Sequence, residues 1–426
     1  MGKFLFTIGR DYHIMIILYP ILFLILKYRY SKNQIKLPLT TLILNVYILS
    51  SSSAVFLYYF EITGKYDGVE ISFHSVIFLF ACLFLFIEGF RQIEKRINLR
   101  IPHIHYKYIS LVVIIIIIFS FLAILDSVLL LKSIMGMSVE EVRFGYNQGN
   151  LFQNRTGAII EYIKSISIII FPVTIFLLFY VYHFYEDKRM VILSLLVSSL
   201  SIVFANLTIA GRDGVVRWIF MFFSVYILFS EILDRKKKKT ALIFGSIIVA
   251  LSVAVILFVT IQRFGSTEVI VIANSLIDYF SQGFINFSTY FDLFKEGTFF
   301  GRRTFPVFFS SDETISGANM NKTLGLYSFQ LNVFSTMIGS FYMEFGYLRT
   351  IIVSILFYYL FMLIKALYTN ENILFLLPML LFLYDLIFGG IFFFVYFSPM
   401  FQKMFFAYLL FLIIRRLNKK SIKLYS

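Results

Sequence analysis

Arginine set between glycines is the pattern in this chain with the clearest chemical potential. The segment Leu207-Thr208-Ile209-Ala210-Gly211-Arg212-Asp213-Gly214 joins two apolar runs. Glycine on both sides lets the backbone turn tightly at a membrane edge. A guanidinium offers a planar fork of donors that matches phosphate oxygens and stays charged at any relevant pH. A helix starting just after it adds partial positive charge. Arg212 so placed would hold a lipid pyrophosphate; it fits equally a capped turn in which it pairs with Asp213 or reaches a lipid headgroup. Arg143 and Tyr146 lie in Val142-Arg143-Phe144-Gly145-Tyr146, and Arg155 in Asn154-Arg155-Thr156-Gly157. Arg302 and Arg303 lie in Phe300-Gly301-Arg302-Arg303-Thr304-Phe305-Pro306. Arginine for phosphate and aromatic faces for pyranose rings would suit a sugar phosphate, while each residue alone also reads as a solvated loop charge. Asp213 and Glu344 are placed to accept a proton from an acceptor hydroxyl. Asp126 and Glu161 fall near span ends and Asp385 deeper, where charge is costly and marks function by default. Glu161 and Lys164, at i and i+3, are expected to pair.

Other chemistries have little to stand on. No Walker-type phosphate loop or dinucleotide fingerprint occurs. His13, His74, His103, His105 and His183 are scattered, and there is no Asp-x-Asp pair to hold a nucleotide-sugar metal. Cys82 is the only cysteine, which excludes an intrachain disulfide and a cysteine metal site. The expectation is therefore no cofactor and no metal.

The elements that must position these residues are membrane spans. Hydrophobic types make up 59% of 426 residues and charged types 15%, against about 25% charged in soluble domains. Mean hydropathy is +0.85. Continuous apolar runs near 20 residues recur, which predicts an all-α, polytopic integral membrane protein and disfavours a barrel of alternating strands. About eleven spans are expected, at 13–28, 37–60, 71–90, 106–131, 158–183, 190–209, 215–233, 241–262, 347–366, 373–394 and 399–414. The first looks like an anchor rather than a cleaved signal.

The net charge of +14 sits largely in short loops, so it speaks for orientation rather than nucleic acid. Alternate loops carry Lys27, Arg29, Lys32 and Lys36, then Arg91 through Lys107, Lys188 and Arg189, Arg235 through Lys239, and Lys365. The positive-inside rule makes that side cytoplasmic and the amino terminus external. Two long loops, 132–157 and 263–346, then face outward. In the second, Ile277, Phe280, Phe284, Phe287 and Phe291 recur at helical spacing, which predicts interfacial or re-entrant helices. No internal repeat or low-complexity linker divides the chain, so residues 1–426 are expected to form one transmembrane domain.

This layout, the Gly-Arg-x-Gly turn between two central spans, and the stretch Tyr342-Met343-Glu344-Phe345-Gly346-Tyr347 leading into a late span resemble the Wzy-type O-antigen, or oligosaccharide repeat-unit, polymerases. Where many members have glycine after Phe-Gly-Tyr, this chain has Leu348-Arg349. The resemblance implies a GT-C-like membrane glycosyltransferase of the bacterial cytoplasmic (inner) membrane with an outward-facing, metal-independent active site. It implies polysaccharide biosynthesis, of lipopolysaccharide or capsule, from polyprenyl-pyrophosphate-linked (undecaprenyl) oligosaccharide as donor and acceptor. Membrane lipids and a chain-length regulator protein are the implied partners, with no nucleic acid. It matches Arg212 to the family's Gly-Arg turn, and Arg155 and Arg303 by location. Two other readings compete, of which the ligase shares the layout and the flippase would not need such unequal outer loops. An O-antigen ligase would favour a histidine in the late outer loop, which 263–346 lacks. A lipid-linked oligosaccharide flippase would favour paired halves or broken helices.

Overall fold

In hydrocarbon each backbone amide and carbonyl needs a partner within its own segment, and apolar runs meet that need as helices. The computed structural model describes residues 11–32, 38–60, 66, 69–96, 101, 103–138, 141–142, 144–145, 158–209, 211–264, 269–298, 300–302, 334–366 and 373–391. Arg143, Tyr146, Arg155, Arg303 and the expected span 399–414 lie outside the described residues. Among those described, the secondary structure is helical, without a strand.

A 3-10 turn, Asp11–Ile17, leads into α1 (Leu18–Ser31). Next come α2 (Pro38–Phe60), α3 (Phe73–Glu94), α4 (Tyr106–Ile134) and α5 (Ala158–Phe184). The expected span 190–209 is two helices, α6 (Arg189–Ser199) and α7 (Ser201–Leu207). The break at Leu200 lies beside Ser199, whose hydroxyl takes a backbone partner in the preceding turn: its Oγ donates to Leu196 O at 2.7 Å. After α8 (Asp213–Phe229) and α9 (Arg235–Phe264) come α10 (Val269–Leu293), α11 (Thr336–Ala366) and α12 (Ile373–Phe388).

Among the described residues, seven helical segments are long and apolar enough to cross a membrane: Ile14–Ser31, Pro38–Phe60, Phe73–Glu94, Tyr106–Ile134, Tyr162–Phe184, Arg189–Leu207 and Thr336–Ala366. The chain is an all-α polytopic membrane protein. Among the described residues, most buried apolar side chains form one core reaching from Ile16 to Ile391, with a small separate cluster at Ile134 and Val142.

Polar pegs fix how the helices meet. Glu94 ends α3 and receives the Leu39 amide at 2.7 Å and the Thr40 amide at 2.8 Å, so a carboxylate neutralises the first turn of α2. Gly89 brings α3 against α11, where a Cβ would meet the Phe361 ring at 2.6 Å. Lys164 pairs with Asp126 of α4 at 3.0 Å; the Glu161 side chain, its expected partner, lies outside the described residues.

The stretch expected as an outer loop holds α10. Its Phe284, Phe287 and Phe291 are buried, while Ile277 and Phe280 are only half-buried. Phe284 meets Tyr19 at 4.9 Å and Tyr47 at 6.2 Å, and Ser288 lies 3.1 Å from Ser75. The helix thus crosses α1, α2 and α3 in turn.

Candidate functional site

The Gly-Arg-Asp-Gly turn is built by close packing of α7 on α8. Asn206 Nδ2 donates to Ile202 O at 3.0 Å, and the Gly211 amide donates to Asn206 O at 2.9 Å. A Cβ on Gly214 would lie 2.6 Å from Ile202 O. Gly214 is therefore a contact requirement: any side chain there would push the two helices apart. Arg212 occupies the N-cap position of α8 with φ −104° and ψ −17°, and Asp213 opens the first turn. A carboxylate there interacts favourably with the helix dipole, which gives Asp213 a structural role whatever its chemical one.

The Arg212 guanidinium carbon lies 4.9 Å from the centroid of Tyr279, on α10. The Tyr279 ring meets Phe334 edge-on at 5.2 Å. Asn286, two turns along, donates to Phe334 O at 2.9 Å. Tyr66 anchors the same end of α10 by donating to Asp278 Oδ1 at 2.5 Å. Burial, with the Asp278 charge and hydrogen bond, pushes the Tyr66 hydroxyl well above the usual phenol range.

Glu344 lies at a second constellation. The Phe-Gly-Tyr turn left open by Leu348-Arg349 is a sharp kink in α11, with Gly346 at φ 75° and ψ −171°. Phe341 stacks on Phe357 at 5.8 Å, so the stretch before the kink folds back along the stretch after it. The chain following α10 crosses here. The Thr298 amide donates to Met343 O at 2.9 Å, the Phe300 amide to Glu344 O at 3.0 Å, and the Tyr347 amide to Lys295 O at 2.8 Å. Gly297 faces Gly346 with φ +78°. A Cβ on Gly297 would meet Phe345 C at 2.6 Å, and one on Gly346 would meet Lys295 O at 2.5 Å. Both glycines are thus demanded twice, by left-handed backbone and by close approach. Glu344 is 1% exposed. Arg302 is exposed just past this crossing.

The structure therefore sorts the expected residues into two places. Arg212 and Asp213 share one; Glu344 and the Arg302 segment share the other. Tyr342, two residues before Glu344, donates to Phe291 O at 2.9 Å. From Tyr279 to Phe291, α10 rises about 18 Å, so one expected proton acceptor lies beside the middle of that helix and the other beside its carboxyl end.

Sequence reasoning missed Arg217. It lies inside an apolar run and is 6% exposed. Its Nε donates to Asp385 Oδ1 at 3.2 Å, its Nη2 pairs with Asp385 Oδ2, and its guanidinium carbon lies 5.2 Å from the Phe171 ring centroid. The available signal was a lone charge within a span, which had singled out Asp385 but not its partner.

This arrangement offers Arg212 and first-turn amides to an anion at the start of α8, with the Asp213 carboxylate beside them and the Tyr279 face against the guanidinium. No family model, curated protein or solved structure matches the chain.

Proposed function

We propose that the chain is a polysaccharide polymerase, a metal-independent membrane glycosyltransferase. It joins polyprenyl-pyrophosphate-linked oligosaccharide repeat units at the outer face of the bacterial cytoplasmic membrane. The observation that carries this reading is Arg212 at the start of α8 with its guanidinium over Tyr279.

In the reaction, a hydroxyl of the acceptor glycan attacks the anomeric carbon of the donor sugar. The new glycosidic bond forms as the bond to the lipid pyrophosphate breaks, and the acceptor proton passes to a carboxylate. Arg212 and the first-turn amides of α8 hold the charge that develops on the pyrophosphate, in a site poor in water. Asp213 stands at that same end and takes the proton-accepting role. Glu344 belongs with the glycan-holding region beside the carboxyl end of α10, with Arg302, Arg303, Arg143, Arg155 and Tyr146 as sugar-phosphate contacts. A chain-length regulator protein is the expected partner.

The test is repeat-unit display in cells. Arg212→Ala and Arg212→Lys should leave single repeat units but little long polymer, with protein levels near normal. Loss of a transition-state donor of this kind costs on the order of a hundred- to a thousandfold in rate, and a lysine cannot reproduce the two-pronged contact. Long polymer at wild-type abundance from well-expressed Arg212→Ala would leave that arginine with a lipid-facing role only.

A further inference from the structure

The end of the bundle remote from Arg212 carries a cation cluster that the proposed chemistry does not use. Arg91 and Lys95 stand at i and i+4 on the last turns of α3, where like charges repel. Lys365, in the last turn of α11, reaches over and donates to Gln92 Oε1 at 2.8 Å. The carboxylate bonded within this group is Glu88. It accepts from Arg91 Nε at 2.7 Å, from Gln92 Nε2 at 2.6 Å and from the Tyr30 hydroxyl at 2.6 Å. Glu94, the other nearby carboxylate, is spent on the Leu39 and Thr40 amides. The Arg91 guanidinium lies over Tyr30 at 4.3 Å, and its Nη1 is buried without an acceptor among the described residues. Three cations are therefore gathered around one carboxylate at the ends of two spans, Phe73–Glu94 and Thr336–Ala366. Burial, and then the Arg91 charge with Lys365 behind it, pulls the Lys95 ammonium below its ordinary range against the opposing pull of Glu88.

Surplus positive charge at the edge of hydrocarbon is costly unless an anion answers it. Basic pockets between helices at headgroup depth suit lipid phosphates. We propose that this cluster is a binding site for the phosphate of an anionic phospholipid, seated between Lys95 and Lys365 in the leaflet at that end of the bundle. The site is independent of whatever reaction the Arg212 end performs. Tyr30 and Glu88 position Arg91 behind the phosphate, and Gln92 holds Lys365 toward it.

The experiment is native mass spectrometry of the full-length protein, titrated with phosphatidylglycerol and with phosphatidylcholine. Wild type should retain phosphatidylglycerol in preference to phosphatidylcholine. Lys95→Gln and Lys365→Gln should each weaken phosphatidylglycerol binding about fivefold, and the pair more. The Lys95→Gln variant guards against misfolding, because that side chain makes no hydrogen bond in the network described. Changing Lys236, Lys238 and Lys239 to Gln should leave the preference intact. Equal retention by the Lys95→Gln/Lys365→Gln protein would overturn the site. So would an equal loss in the Lys236/Lys238/Lys239 variant, which would mean diffuse surface attraction. Release of bound lipid by inorganic phosphate at matched concentration would overturn the lipid as source and leave a free-phosphate site.

Discussion

Tyr279 determines where the Arg212 guanidinium sits, at 4.9 Å from the ring centroid. A cation held over an aromatic face gains about 0.5–2 kcal/mol, more as water is excluded. If that contact aims the arginine at a pyrophosphate, Tyr279→Leu should lower the rate of polymer formation about 3- to 30-fold, while Tyr279→Phe, which keeps a face, should lose much less. The comparison is read as initial rates with purified variants at saturating substrate. Equal rates for Tyr279→Leu and wild type would detach the ring from the chemistry. Within the basic run, Lys237 also makes a packing contact: its Nζ donates to His183 O at 3.0 Å and pairs with Glu186. It ties α9 to the end of α5, so its loss bears on packing as well as orientation.

Between elements, the strongest polar tie is Arg217 to Asp385, which locks α8 to α12 just inside the start of α8. Removing one partner of a buried pair strands a charge and costs about 3–5 kcal/mol, whereas replacing both with apolar residues of similar volume is often near neutral. Arg217→Met alone and Asp385→Leu alone should therefore lower the thermal unfolding midpoint in detergent strongly. Arg217→Met with Asp385→Leu should recover most of it. A double variant as unstable as the singles would show that the pair is more than a packed tie.

The helices themselves were largely legible. Apolar runs placed α2, α3, α4 and α5 within a few residues of their observed bounds, because in lipid length and hydropathy decide the matter. The phenylalanine stripe from Ile277 to Phe291 likewise marked the second half of α10. The tertiary partners were not legible. Lys164 meets Asp126 38 positions away, and Arg217 meets Asp385 168 positions away in the chain. Periodicity carries no information about which faces meet. Gly346 was visible as a glycine beside aromatics, but the need for it comes from Gly297 crossing opposite, a contact no local pattern encodes.

For the molecule as a whole, the proposed chemistry requires the start of α8 and the chain after α10 to lie on one side of the membrane and the basic run of α9 on the other. A reporter active only outside the cytoplasm should work when fused within 263–346 and fail after Lys239. The reverse pattern would place Arg212 in the cytoplasm and remove the polymerase reading. The motive is the one-sided placement of Lys and Arg along the chain.

The central claim is that this chain alone forms glycosidic bonds between lipid-linked repeat units, using arginine where other transferases use a metal. It is tested most directly by reconstituting the purified full-length protein with those units as sole substrate, in the presence of a divalent-metal chelator, and resolving the products by length. The account predicts a ladder of polymers with release of lipid pyrophosphate, unchanged by chelator and absent with Arg212→Ala. Repeat units moved across the bilayer without any new bond, or a ladder that vanishes with chelator and returns with magnesium, would contradict it.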